Sequence, residues 1–450
     1  MPPFAALILC SILVILIIWL QDKHNPGVSN ISWLPTVWLI YSMSKPLGQW
    51  FNIQSSIEAG SELDRIFLSI LMIITIILLF RKKIDLKEAI KENIAFMILL
   101  VFMLISVLWS HSFLISYRRW IKDFSSLLMA LLVFSDQNPR NSIIIIIKRT
   151  VFIAIPFSLM LIKYFPIYGR QYHRWTGEMM WIGISTQKNR LALIAALSII
   201  LFLWDLWQKK GTHESKLLLI VEIGYIFLGI FLLLGPKGNL KTAAASSISF
   251  LFGILALLFF IYIGKKSHIL IPTIINSVTL ALITFGSCLP FLKRFPLVKL
   301  LLTMERDATL TGRTEIWSML IPYLNKRFFF GYGKGGFWTT YLREQIAAHA
   351  HNGYLDFMLE LGVVGLIIAT IFLLTTSQKF LKFMVYDYHL SALFFCILFM
   401  FLIHNMAETS IPDLCVFPTS LIILFSFMPL EKCGFHDTYH LYEYNLIQIQ

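Results

Sequence analysis

Charge is what this chain has least of. Only 14% of its 450 residues are charged, whereas a soluble domain carries about a quarter. With a mean hydropathy of +0.74, that scarcity excludes a water-soluble globule. Cysteine is also sparse: Cys10, Cys288, Cys396, Cys415 and Cys433 are dispersed and no C-x-x-C occurs. Neither a zinc site nor a disulfide framework is indicated. The chain has no internal repeat, no low-complexity tract, no H-E-x-x-H and no D-x-D, which removes solenoids and the common metal signatures. The start, Met1-Pro2-Pro3-Phe4, lacks the positive region of a secretory signal, and no A-x-A follows. Residues 5–20 are therefore expected to stay as a first span.

What is present is apolar length. A membrane crossing takes ~20 apolar residues. Runs of that kind occupy 5–20, 31–43, 66–80, 94–109, 120–135, 143–163, 188–207, 216–234, 241–263, 268–289, 351–375, 389–404 and 412–428. Two of them, 31–43 and 120–135, are short, and lipid tolerates short or re-entrant segments only where protein covers their backbone. The expected fold is all-α: one polytopic membrane domain over 1–450 with about 12 to 13 transmembrane helices. One large external loop, 290–350, holds an amphipathic helix.

The net charge of +13 raises nucleic acid as a partner, but the cations are scattered between apolar runs rather than gathered on one soluble face. Membrane lipid or an anionic lipid-linked substrate suits them better. Arg81-Lys82-Lys83, Lys209-Lys210, Lys265-Lys266, and Lys379 with Lys382 fall on alternate connections and mark one cytoplasmic side. The basic 163–190 and 290–350 loops then lie outside, and their cations call for an anion.

The chemistry concentrates at His351-Asn352-Gly353, where the polar 290–350 loop runs into an apolar helix. Ionisable groups at such a boundary are costly to place and usually functional. A neutral imidazole can take a proton from a hydroxyl as general base, and neighbouring cations favour that neutral form. The competing reading is an interfacial histidine bonded to backbone or water. His349 would point away from His351 if both were helical, so no metal pair is expected. Arg313 opens an amphipathic stretch, Ile316, Trp317, Leu320, Ile321 and Leu324. It reads as a helix lying on the membrane with an arginine placed for a phosphate, or as an ordinary surface cation. Lys241, Arg118-Arg119 and Lys188-Asn189-Arg190 stand at the starts of apolar runs, where they could snorkel or join the same face as His351. Gly331-Tyr332-Gly333-Lys334-Gly335-Gly336 matches GxGxxG only formally, since no βαβ unit surrounds it. It reads as a tight aromatic turn that brings backbone close to membrane or glycan. Glu360 lies too far along the helix from His351 for direct partnership and is expected to pair within the bundle, while Gly362 and Gly365 allow close helix packing.

Taken together these residues resemble the O-antigen ligase and polymerase-like superfamily, especially its exopolysaccharide production branch. The resemblance is carried by Gly312-Arg313-Thr314-Glu315-Ile316-Trp317, Gly331-Tyr332-Gly333, His351-Asn352-Gly353-Tyr354-Leu355 and Glu360-Leu361-Gly362-Val363-Val364-Gly365, with Gln187-Lys188-Asn189 and Leu240-Lys241-Thr242 upstream. Gly238-Asn239-Leu240 departs from the small hydroxyl residues usual before the cation. The resemblance implies a GT-C-like, metal-independent glycosyltransferase of the bacterial inner membrane, with no cofactor. It would act at the periplasmic face on polyprenyl-pyrophosphate-linked oligosaccharide, alongside a chain-length regulator or export complex. By the family's pattern His351 is the candidate base, and Arg313 and Lys241 hold the pyrophosphate. Lys188, Arg190, Arg118, Arg119 and Asn352 are further candidates for substrate binding.

Polymerisation of exopolysaccharide or O-antigen repeat units is the leading expectation. A ligase that moves glycan to lipid A core or another acceptor is the alternative within the class. A flippase for the same lipid-linked sugar is the alternative outside it. That last reading favours inverted repeats and charges at the bilayer midplane, and neither is seen in the sequence.

Overall fold

The computed structural model describes residues 1–25, 27–53, 60–82, 84–173, 177–209, 215–238, 243–263, 270–292 and 309–429. Lys241, Lys83, Lys210, Lys265-Lys266 and the 293–308 part of the long loop lie outside the described residues. The fold is all-α and polytopic, as expected. Its only sheet among the described residues is a two-stranded antiparallel hairpin, Arg170–Tyr172 with Met179–Trp181, in the 163–190 loop.

Each apolar run contains helix, but fewer of these helices than expected pass as crossings by length and composition. Among the described residues, eight helices are long and apolar enough to cross a membrane, or nine if Leu86–Glu92 and Ile94–Trp109, bent by 92°, make one span. The shortfall has two causes. Trp33–Met43 has 11 residues, Tyr388–His404 has 17 and Thr419–Ser426 has 8, all below the usual spanning length. Phe113–Phe134 is long enough at 22 residues, and longer than the 120–135 run suggests, but Arg118, Arg119, Lys122 and Asp123 make it too polar to count. Trp33–Met43 sits inside the protein, with Trp38 and Leu39 fully buried, which is the cover that a short segment needs.

Burial sorts the helices into layers. Pro139–Tyr164 and Lys188–Gln208 are 78% buried along their apolar windows, whereas Pro3–Lys23 and Glu62–Lys82 are 22% buried and present Ile, Leu and Trp side chains outward. The polar connections meet at one end of the bundle. Lys379 pairs with Glu92 at 3.0 Å and Arg140 pairs with Asp387, while Arg140 also reaches Gln208 at 3.4 Å. The opposite ends of Lys188–Gln208, Gly353–Phe383 and Tyr388–His404 face the 309–350 segment.

That segment is folded onto protein, which corrects two expectations. Helix Thr309–Lys326 is amphipathic, but Trp317, Leu320 and Leu324 pack with Phe337, Trp338 and Leu355 in a local core rather than lying on lipid. The glycine-rich turn brings its backbone up against the protein's own helix. Gly362 has φ +68° and breaks helix Gly353–Phe383, and residues 328–333 dock on the break. Tyr332 N–H donates to Leu359 O at 2.9 Å and Gly333 N–H to Glu360 O at 2.8 Å, while Val363 N–H donates to Phe328 O at 2.9 Å. The interrupted helix thus recovers its backbone partners from the loop. A Cβ at Gly331 would meet Glu360 O at 2.5 Å, and one at Gly362 would meet Phe329 O at 2.1 Å, so packing against a neighbouring helix is not what Gly362 serves.

Candidate active site

His351 is not helical. It sits just before helix Gly353–Phe383 with φ +53°, a left-handed conformation uncommon outside glycine and found where surrounding structure imposes it. Asn352 and Gly353 supply that surround. The Asn352 carboxamide accepts from Leu355 N–H at 2.8 Å as the N-cap, and donates to Gly286 O at 3.1 Å and Met406 O at 3.3 Å. Its polar atoms are thus committed to holding the turn, so it positions His351 rather than offering a free amide to substrate. Gly353 N–H donates to Asn405 O at 2.7 Å, and a Cβ on it would strike the Asn405 carboxamide at 2.3 Å. Asn405 Oδ1 in turn accepts from Ser410 and Ile411 N–H, both at 3.0 Å. This chain of bonds fixes the 405–411 loop beside His351.

Glu408, on that loop, is the residue the sequence reading missed. Its carboxylate is buried and gathers three groups. His351 Nδ1 stands 3.9 Å from Oε2, Arg313 Nη2 3.6 Å from Oε1, and Asn189 donates to Oε1 at 2.5 Å. The signal that singled out His351, an ionisable residue where an apolar run meets a loop, was present at Glu408 as well. Burial opposes ionisation of Glu408, but the imidazoles gathered around it, His351 first, outweigh it and hold the carboxyl well below the usual range.

The two histidines do not diverge, which corrects the expectation built on helical geometry. Neither is in a helix, their ring centroids are 4.1 Å apart, and His351 N–H donates to His349 Nδ1 at 3.2 Å. The ligating atoms of His349, His351 and Glu408 lie within 4.8 Å of one another, close enough to share a cation. Arg313 and Asn189 already compete for the same carboxylate.

Two pockets meet at this cluster and share Gln187. The outer one, about 310 Å³, is lined by Lys188, Asn189, Arg313, His351 and Glu408, with Gln171 and Met180 entering from paired positions of the hairpin. The inner one, about 360 Å³, is lined by Arg119, Lys122, Arg190, Arg343, His349 and Trp338 among others. Helix Lys188–Gln208 starts between them, so the positive end of its dipole bears on both. Of the expected site residues, the structure therefore brings His351, Arg313 and Lys188 together in the outer pocket and places Arg119 and Arg190 in the inner one. Arg118 is exposed and lines neither. Glu360, expected to pair within the bundle, instead meets the glycine-rich loop, with Gly335 N–H at 3.0 Å and Lys334 at 3.6 Å.

Burial, together with the charges of His351, Arg190 and Arg343, pushes His349 down to about 3 despite Glu408. The folded value lies below the ordinary 6.5, so the unfolded chain binds the extra proton. Stability contributed by neutral His349 is present above pH ~6.5 and is lost as pH falls toward ~3. Melting temperature followed from pH 7.5 to 4 should fall less steeply for His349→Gln than for the parent chain. Parallel curves would show that His349 is not held neutral.

Residues 240–370 match the O-antigen ligase family. The chain is also similar to the exopolysaccharide production protein ExoQ of Rhizobium meliloti (strain 1021), 23% identical over 296 residues, which are 63% of this chain and 64% of that relative. The match thus spans somewhat less than two thirds of the relative's length. The family region runs through the 309–326 helix, the glycine-rich turn, His351 and the break at Gly362, the parts that build the pocket cluster described above. This polytopic, all-α chain is thus similar to the O-antigen ligase family over residues 240–370.

Proposed function

We propose that the chain is a membrane glycosyltransferase that polymerises polyprenyl-pyrophosphate-linked repeat units of an exopolysaccharide or O-antigen at the periplasmic face of the bacterial inner membrane. The observation that carries the reading is the convergence of His351, Glu408 and Arg313 at the mouth of a helix amino terminus. Glu408 faces Nδ1 of His351, which leaves Nε2 to accept a proton. The acceptor hydroxyl gives that proton to Nε2 as its oxygen bonds to the donor's anomeric carbon. The bond from that carbon to the phosphate oxygen breaks, and polyprenyl pyrophosphate leaves with the electron pair. Arg313 and Lys188, with the dipole of helix Lys188–Gln208, offset the charge growing on the leaving group, and Lys241 remains a candidate partner. Fixed donors aimed at developing charge do this work effectively. Donors linked to lipid suit a site outside the cell, where nucleotide sugars are absent.

The same cations support a mechanism without metal, and an ion held by His349, His351 and Glu408 would occupy the base. Purified protein reconstituted in vesicles with lipid-linked repeat units should form polymer, and a chelator should leave the rate unchanged. Absence of transfer would sink the reading; loss of turnover to the chelator would sink its metal-free form. A strain lacking the protein should accumulate single lipid-linked units. Long lipid-linked chains would instead indicate a ligase.

A further inference from the structure

The reaction above uses the outer pocket and leaves the inner one without a role. We propose that the inner pocket seats the acceptor glycan and selects an acceptor that carries an anionic substituent, a sugar carboxylate or its equivalent. The inference rests on the transferase reading and adds the acceptor's chemical class to it.

Among the described residues, none of Arg119, Lys122, Arg190 and Arg343 forms an ion pair. Arg119 donates to Gly335 O, and Arg343 to Trp338 O at 3.3 Å and Ala348 O at 2.8 Å. These bonds hold the guanidinium groups in place and leave N–H groups over. Lys122 stands 5.7 Å from the Tyr41 ring centroid. The carboxylates of the lining turn to other partners, although Asp123 keeps one oxygen without a hydrogen bond. Asp356 accepts from Trp338 Nε1 at 2.7 Å, from Ala350 N–H at 3.1 Å and from Thr409. Asp123, Glu360 and Asp413 converge on the buried ammonium of Lys334 at 3.1, 3.6 and 2.9 Å. An incoming ligand therefore meets donors in excess of acceptors. A neutral sugar, whose hydroxyls donate as well as accept, uses that excess poorly, whereas a carboxylate offers acceptor capacity alone and matches the fork of an arginine. The shared Gln187 and the 4.1 Å contact between His349 and His351 put an acceptor seated here within reach of the proposed base.

The full chain in lipid nanodiscs can be titrated with cellobiouronic acid and with cellobiose, a matched acidic and neutral pair. The acid should bind about tenfold more tightly, the effect of one added charge-assisted hydrogen bond. Lys122→Gln and Arg119→Gln should each remove the preference, whereas Arg313→Gln should leave it intact. Equal binding of the pair, or binding of neither, overturns the proposal. So does inorganic pyrophosphate that displaces the acid and itself depends on Lys122, because the pocket would then belong to the donor. These binding results are independent of turnover: a chain that selects the acid but forms no polymer from lipid-linked units would refute the transferase reading alone.

Discussion

Replacing His351 with asparagine is expected to lower polymer formation by ~10²–10⁴-fold, the usual worth of a positioned general base, while the protein still folds. Asparagine is the informative choice because it tolerates the left-handed backbone that His351 occupies at φ +53°. Alanine would combine the lost imidazole with backbone strain. Initial rates of transfer from lipid-linked units, compared at matched melting temperature, read the effect. Glu408→Gln keeps the shape of the side chain and its contact with Asn189 but removes the charge facing Nδ1, so its loss should be smaller and should come from weaker orientation of the imidazole. A His351→Asn variant that makes polymer at the parental rate would remove His351 from the chemistry.

The largest effect on stability is expected at Lys334. Its side chain is fully buried and its ammonium meets Asp123, Glu360 and Asp413, as well as Pro412 O. Lys334→Met keeps most of the volume but leaves those carboxylates without their counter-charge. Removing one partner of a buried ionic cluster costs about 3–5 kcal/mol, far more than loss of an exposed pair. Denaturation of the detergent-solubilised chain should show the loss, and adding Asp123→Asn to Lys334→Met should recover part of it, since one stranded charge is then gone. An unchanged melting temperature in Lys334→Met would mean that the carboxylates are protonated or solvated and that the lysine is not their anchor. The residue also shows how sequence can mislead. Counted along the chain, Lys334 is one more outward cation of a basic loop; in the fold it is the least accessible charge near the site.

Much of this protein was written in its hydrophobic pattern. Each apolar run holds a helix, because lipid leaves backbone no other way to satisfy its hydrogen bonds without a closed barrel. The boundary rule that singled out His351 has the same basis: a charge placed where water ends is costly. Pattern could not settle which helices cross completely, since that depends on whether Trp33–Met43 and Thr419–Ser426 are covered by protein. Nor could it reveal that residues 328–333 close the break at Gly362, that two histidines outside any helix lie side by side, or that Glu408 joins His351 to Arg313 across 57 and 95 positions of chain. Those pairings are set by backbone docking and by burial, which link residues through space, whereas periodicity reports only on neighbours along one element.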